Sequence, residues 1–192
     1  KTVDFLSWTT GDFLDAYALR LNIGNAARLT LKGTIDGKVF EESFIPSSQL
    51  SDSEYIVKSV RAEKLGQQLS LTYYRELFRE LVAITLQGNA PTELDKEALM
   101  QNEPYLEIRI ETPKFNKSDK YPEGLLSITR ILRFYPYTNG RALATVETIG
   151  ADGKSSGENG SFYVRISRLD KLLGDAQKLC NGEEFSFRDF LD

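Results

Sequence analysis

The sequence predicts an α+β domain, an antiparallel sheet with two main helices packed on one face, and three observations carry that expectation. Two turn dipeptides, Asp36-Gly37 and Asn139-Gly140, each separate runs of strand-forming residues, the pattern of a tight hairpin. Apolar residues recur at helical spacing in two other stretches, Ser70 to Leu86 and Ser167 to Cys180. Strands joined by hairpins pair antiparallel, and a sheet with one apolar face buries that face against helices.

Each element has its own justification. Ala27 to Thr34 and Lys38 to Ile45 pair across Asp36-Gly37. In the first helix Tyr74, Leu77, Phe78, Leu81, Val82 and Ile84 make a wide apolar face, with Arg75, Glu76, Arg79 and Glu80 on the other side, and Gly88-Asn89-Ala90-Pro91 stops it. Thr92 to Met100 reads as a short surface helix with Thr92 as its N-cap. Tyr105 to Thr112 alternates apolar and charged residues, as a strand with one wet face does. Ile128 to Tyr135 pairs with Arg141 to Ile149 across Asn139-Gly140, and Ser161 to Ile166 is a strand feeding the last helix. There Ser167 and Asp170 form an S-x-x-D cap, Leu169, Leu172, Leu173, Ala176, Leu179 and Cys180 form the buried stripe, and Asn181-Gly182 ends the helix. Pro113 to Gly124 and Gly150 to Gly160 are the expected mobile loops.

A single domain is expected over residues 1–192, with lobes 1–90 and 104–192 joined by the short helical linker as its finer division. Both halves run strands before a helix; an internal duplication and the ordinary order of an α+β chain both explain that.

Composition narrows function by exclusion. The 192 residues contain no histidine and one cysteine, Cys180, which removes Ser-His-Asp and Cys-His catalysis, His-ligated metals, CxxC redox chemistry, Cys-rich zinc sites and internal disulfides. Cys180 lies on the apolar stripe of the last helix and reads as a small buried hydrophobe. With 41% hydrophobic and 27% charged residues the chain has enough of both for a cored globular domain. A net charge of -4 gives no general attraction to nucleic acid or anionic lipid, so no nucleic-acid partner is expected. No apolar run approaches the roughly 18 residues of a membrane span. The start at Lys1, without Met, sets up the expectation that an upstream signal, anchor or larger region was removed, which would be the chain's one link to a membrane. Scarce cysteine suits an envelope protein without disulfides and a cytoplasmic one equally.

The chemistry-bearing residues are few. Gly150-Ala151-Asp152-Gly153-Lys154-Ser155-Ser156-Gly157 matches neither phosphate-loop pattern and reads as a turn-rich hairpin loop. The acid pairs Glu41-Glu42, Glu183-Glu184 and Asp12 with Asp15 could serve a carboxylate-dependent hydrolase if a cleft held them at the right separation, but each reads more simply as solvated surface. Asp36, Asp119 and Asp152 lie in loops without the calcium-loop pattern. No catalytic residue, metal ligand or cofactor is therefore assigned. The hairpin tip is a better lead: Tyr135, Tyr137, Asn139 and Arg141 are the candidate binding residues, because Tyr and Arg offer large contact area with directed hydrogen bonds. The competing reading packs Phe134 and one tyrosine into the core. Arg130, Arg133, Arg165 and Arg168 form either a basic stripe or cross-strand pairs with Glu107 and Glu147. Two N-x-[ST] sequons, at Asn116 and Asn159, matter only in a eukaryotic secretory setting.

Tyr73-Tyr74-Arg75-Glu76-Leu77-Phe78-Arg79-Glu80-Leu81, Pro104-Tyr105-Leu106-Glu107-Ile108, Arg133-Phe134-Tyr135-Pro136-Tyr137, Phe162-Tyr163-Val164, Asp170-Lys171-Leu172-Leu173 and Asn181-Gly182-Glu183 occur in an order with a family likeness. Over residues 70–184 the chain resembles an uncharacterised bacterial family of extracytoplasmic α+β domains associated with gliding-motility-type ABC transporter components. The resemblance implies an envelope-facing accessory or binding domain, on the periplasmic or extracellular side, and no reaction. Together the residues and the resemblance favour a noncatalytic interaction domain that contacts a protein partner or a surface polymer through its hairpin tips. The alternatives are a carboxylate-dependent glycan hydrolase and a carrier of a small apolar ligand between sheet and helices.

Overall fold

The computed structural model describes residues 23, 26–50, 55–115, 125–138 and 140–186. Within them the chain runs β1 (Arg28–Ile35), β2 (Lys38–Leu50), β3 (Tyr55–Ala62), β4 (Gln68–Leu69), α1 (Leu71–Val82), β5 (Gly88–Asn89), α2 (Lys96–Met100), β6 (Leu106–Phe115), β7 (Leu125–Thr138), β8 (Arg141–Ile149), β9 (Asn159–Arg165) and α3 (Ile166–Asn181). All nine strands form one mostly antiparallel sheet in the order β4-β3-β2-β1-β6-β7-β8-β9-β5, so the fold is α+β. The pairing of β1 with β6, from Gly33 opposite Leu106 to Arg28 opposite Glu111, joins the strands before α2 to those after it.

Local chemistry sets the turns. At the first hairpin Asp36 and Gly37 have φ of 49° and 74°, the left-handed pair of a type I′ turn, and Ile35 faces Lys38 across it. At the second, Thr138 faces Arg141 and Gly140 has φ of 81°, while Asn139 lies outside the described residues. β7 is longer than Ile128 to Tyr135, and β6 continues to Phe115, into the stretch read from sequence as a loop.

Because side chains alternate along a strand, register sorts the sheet into two faces. Leu31, Ile108 and Leu132 stand in one row across β1, β6 and β7, and Leu29, Phe44 and Ile110 in another. All six are essentially inaccessible and share one cluster with Tyr74, Leu77 and Leu81 of α1 and Leu169, Leu172, Leu173 and Ala176 of α3. Fully burying each large side chain contributes about 1.5–3 kcal/mol, so this cluster dominates the stability of the fold. Gly33 lets α3 come close to β1, since a Cβ there would meet Leu173 Cδ1 at 2.9 Å and the Tyr105 carbonyl oxygen at 3.0 Å.

The helix ends differ from the sequence reading, each for a local reason. Ser70 caps α1, its hydroxyl accepting from the Tyr73 amide at 3.4 Å, but the helix stops at Val82 rather than Leu86. Beyond it the backbone is taken up by the sheet edge, where the Gln87 amide donates to the Tyr163 carbonyl and the Ala90 amide to the Ser161 carbonyl. Asp95, not Thr92, caps α2, because its Oδ1 accepts from the Ala98 amide at 3.0 Å while the Thr92 hydroxyl donates to Glu93. Ser167 caps nothing. The N-cap of α3 is two residues earlier, at Arg165, with no side-chain bond, and Asp170 accepts instead from the Tyr105 hydroxyl. Gly182, at φ 75°, closes α3 as Asn181-Gly182 predicts. No helix of the described residues is long and apolar enough to cross a membrane.

Candidate functional site

The second face of β6 to β9 carries the residues with chemistry. Glu107, Arg133 and Thr145 share a row, as do Arg109, Ile131 and Glu147 in the next and Tyr135, Leu143 and Tyr163 in the one beyond Arg133. Arg133 sits at the centre of a charge network. Its Nε donates to Glu107 at 2.7 Å, and its Nη1 donates at 2.8 Å to both Glu147 and Glu158. The Thr145 hydroxyl donates to Glu158 at 2.5 Å and the Ser155 hydroxyl to Glu147 at 2.6 Å. Glu158 and Ser155 belong to the segment between β8 and β9, so the network fastens that segment onto the sheet; it is not a free loop.

The electrostatics follow from this packing. Hydrogen bonds from Ser155 and then Arg133 hold the Glu147 carboxyl below its usual range. Burial opposes the charge on Arg133, but Glu147 and Glu107 beside it outweigh that and raise its pKa. Burial, with Glu158 in hydrogen-bonding reach, pushes the Tyr135 phenol up. A carboxylate bound this way is a poor general acid, because its charged form is the stabilised one.

The four residues singled out at the tip separate. Tyr135 is 3% exposed and belongs to a second small core with Ala90 and Leu143, covered by Leu94, Leu99 and Met100 around α2. Tyr137 packs against the same cluster, its hydroxyl buried with no hydrogen-bond partner among the described residues. Asn139 is outside them. Of the three described, Arg141 alone is exposed, and its guanidinium carbon lies 4.7 Å from the centre of the Tyr163 ring. Arg165 stands directly opposite Arg141 across β8 and β9 and is exposed as well. Phe134 is fully buried in the main core, so the competing reading of this tip describes Phe134 and Tyr135.

Sequence reasoning missed Tyr163 as the platform under Arg141; the register Leu143–Tyr163 is the signal, and it requires the β8–β9 bulge to be known. The arginine stripe does not form. Arg130 and Arg133 are three residues apart on one strand and point to opposite faces, Arg133 is ion-paired as Glu107 and Glu147 suggested, and Arg168 donates to the Ala83 carbonyl at the end of α1.

Other acids have structural partners. Glu42 is buried and accepts from the amides of Ser43 and Lys64. Asp12, Asp15, Asn116 and Asp119 lie outside the described residues. No group of three or more acids and cysteine among the described residues is arranged to hold a metal ion. Cys180 is buried, and that burial pushes its thiol up to about 12, where the reactive thiolate is scarce. A 380 Å³ depression lies between the first hairpin and the entry to β6, lined by Lys32, Val39, Glu103, Tyr105 and Glu107 among others. Set against protein-family models, curated proteins and solved structures, the chain matches none.

Proposed function

We propose that the protein is a noncatalytic interaction domain that contacts a protein partner or a surface polymer through the open end of β8 and β9, around Arg141. One observation carries this reading: Arg141 is exposed, its guanidinium carbon lies 4.7 Å from the centre of the Tyr163 ring, and Arg165 stands directly opposite it, so two exposed cations are neighbours there. Like charges facing each other across a strand pair cost stability, and an anionic partner would relieve that cost. A held guanidinium also loses less side-chain freedom on binding than a mobile one. The contact chemistry favoured is carboxylate or phosphate groups on the partner.

The layer arrangement supports the same reading. We place α1 and α3 together on the face bearing Leu31, Ile108 and Leu132, which leaves the Arg133–Tyr163 face to α2, the fastened β8–β9 segment and the partner. The hydrolase alternative is weaker on geometry. Glu147 is held ionised by Ser155 and Arg133, and Glu80, whose carboxyl burial raises toward neutrality, is buried between helices rather than open to a substrate. The resemblance to extracytoplasmic accessory domains makes the bacterial cell envelope the proposed location.

A photo-crosslinking amino acid placed at exposed Thr138, which faces Arg141 across the hairpin and leaves its guanidinium in place, with one at exposed Leu65 as control, tests the assignment on isolated envelope fractions. Adducts formed from 138 and not from 65 are expected. Equal or absent adducts at both positions would contradict it.

A further inference from the structure

Four charged side chains meet where α1 packs against α3. Glu80 of α1 and Asp175 of α3 are 7% and 3% exposed. Lys171 Nζ donates to Glu80 Oε1 and, at 2.5 Å, to Asp175 Oδ2, while Lys178 Nζ donates to Asp175 Oδ1 at 2.8 Å. Asp175 thus has a donor on each oxygen. Glu80 has not: its Oε2 is buried without a hydrogen-bond partner among the described residues. An ionised carboxylate only accepts hydrogen bonds, whereas a protonated one also has an O–H to give. Lys171 Nζ bonds both carboxyl groups, so Glu80 and Asp175 converge on one ammonium, and a proton on Glu80 removes the repulsion between two buried carboxylates.

The surrounding charges have their own engagements. On α1, Glu76 pairs with Arg79; on α3, Arg168 donates to the Ala83 carbonyl and Asp170 accepts from Tyr105. After α3, Glu183 accepts from Asn181, and Glu184 is near enough to the Tyr73 phenol to help raise its pKa. From the sheet side, Glu42 and Lys64 lie beside Cys180. Lys171, Asp175 and Lys178 are the charged groups of this crossing, and with both acids ionised the four sum to zero while leaving Glu80 Oε2 unserved.

We propose that Glu80, Asp175, Lys171 and Lys178 form a proton-dependent latch between α1 and α3, closed while the carboxyl pair holds one proton and loosened when that proton is lost. Burial pushes the Glu80 carboxyl up from 4.5 to about 7, with Lys171 opposing and Asp175 reinforcing the shift. Burial works against ionised Asp175 too, yet Lys171 and Lys178 hold its pKa below the ordinary value, so the proton sits on Glu80. The folded state then binds a proton that the unfolded chain releases above about pH 4.3, and the latch weakens as pH rises from there through about 7. Because Leu77, Tyr74 and Leu81 of α1 close the main core, loosening the latch reaches the helix layer as a whole.

Hydrogen exchange at about pH 5.5 and about pH 8.5, corrected for intrinsic rates, tests this. Amides of residues 77–82 and 169–179 in the wild-type chain are expected to lose at least roughly tenfold protection at the higher pH, and Glu80→Gln, which mimics the protonated acid, is expected to lose none. Equal protection at both pH values in the wild type, or an equal loss in Glu80→Gln, would overturn the proposal. Carboxyl NMR of the unaltered chain adds a test independent of the variant's folding. A Glu80 midpoint between about 6 and 8 with a coupled response at Asp175 supports the latch, and a midpoint below about 5 overturns it.

Discussion

Single atoms already discriminate between readings of this molecule. Tyr74 is fully buried against Phe44 and Phe78, with ring centroids 6.2 and 6.3 Å away, and its hydroxyl has no partner among the described residues. An unpaired buried hydroxyl costs about 1–3 kcal/mol, so Tyr74→Phe should leave stability unchanged or raise it by about 1 kcal/mol, roughly 2–4 °C in a thermal melt. A loss of that size would show that the hydroxyl has a partner. Gly160 makes the opposite case. A Cβ there would collide with the Ala144 carbonyl oxygen and come within 2.7 Å of Thr145 Cγ2, beside the register shift between Ala144 and Val146. Gly160→Ala should therefore cost about 1–3 kcal/mol in chemical denaturation, through overpacking of backbone that cannot yield. Equal stability would mean the bulge adapts.

At the scale of elements, the segment between β8 and β9 depends on one cation. Replacing Arg133 by Met leaves Glu107, Glu147 and Glu158 facing one another at part-buried positions, and a loss of about 3 kcal/mol is expected, with exchange protection falling first at residues 154–158. The ion pairs carry a pH signature as well. The folded-state pKa of Glu147 is depressed, so its contribution is present above about pH 4.5 and is lost as pH falls through the depressed value. Release of the segment in acid that Ser155→Ala brings to higher pH would match this, and release insensitive to that change would contradict it. How much of this was legible in sequence depends on range. Asp36-Gly37 and Asn181-Gly182 declare their turns because φ preference is local. The rows Glu107–Arg133–Thr145 follow once β6, β7 and β8 are paired, and the Glu107 and Glu147 spacing hinted at them. β3 was not read: Tyr55–Ala62 pairs with β2 across a register shift at Ser47 and Ser48, which breaks its alternation against its neighbour. Nor could sequence show that Tyr135 is covered, since Leu94, Leu99 and Met100 reach it by tertiary packing of α2.

For the whole molecule, one sheet unites both halves of the chain, the main core joins residues of α1 and α3 to the sheet, and a second small core packs against Leu94, Leu99 and Met100. The proposed contact rests on exposed Arg141, which lies over the Tyr163 ring opposite Arg165, as the place where an anionic surface would bind. Such contact should weaken with salt, because exposed charges more than about 10 Å apart are screened at 0.1 M ionic strength. The most direct test is the affinity of the wild-type chain and of Arg141→Ala for one purified envelope fraction, measured at a single salt concentration with both proteins shown to melt at the same temperature. The account predicts at least roughly tenfold weaker binding by the variant and an unaltered polymer recovered afterwards. Equal affinity, or polymer recovered in cleaved form, would contradict it.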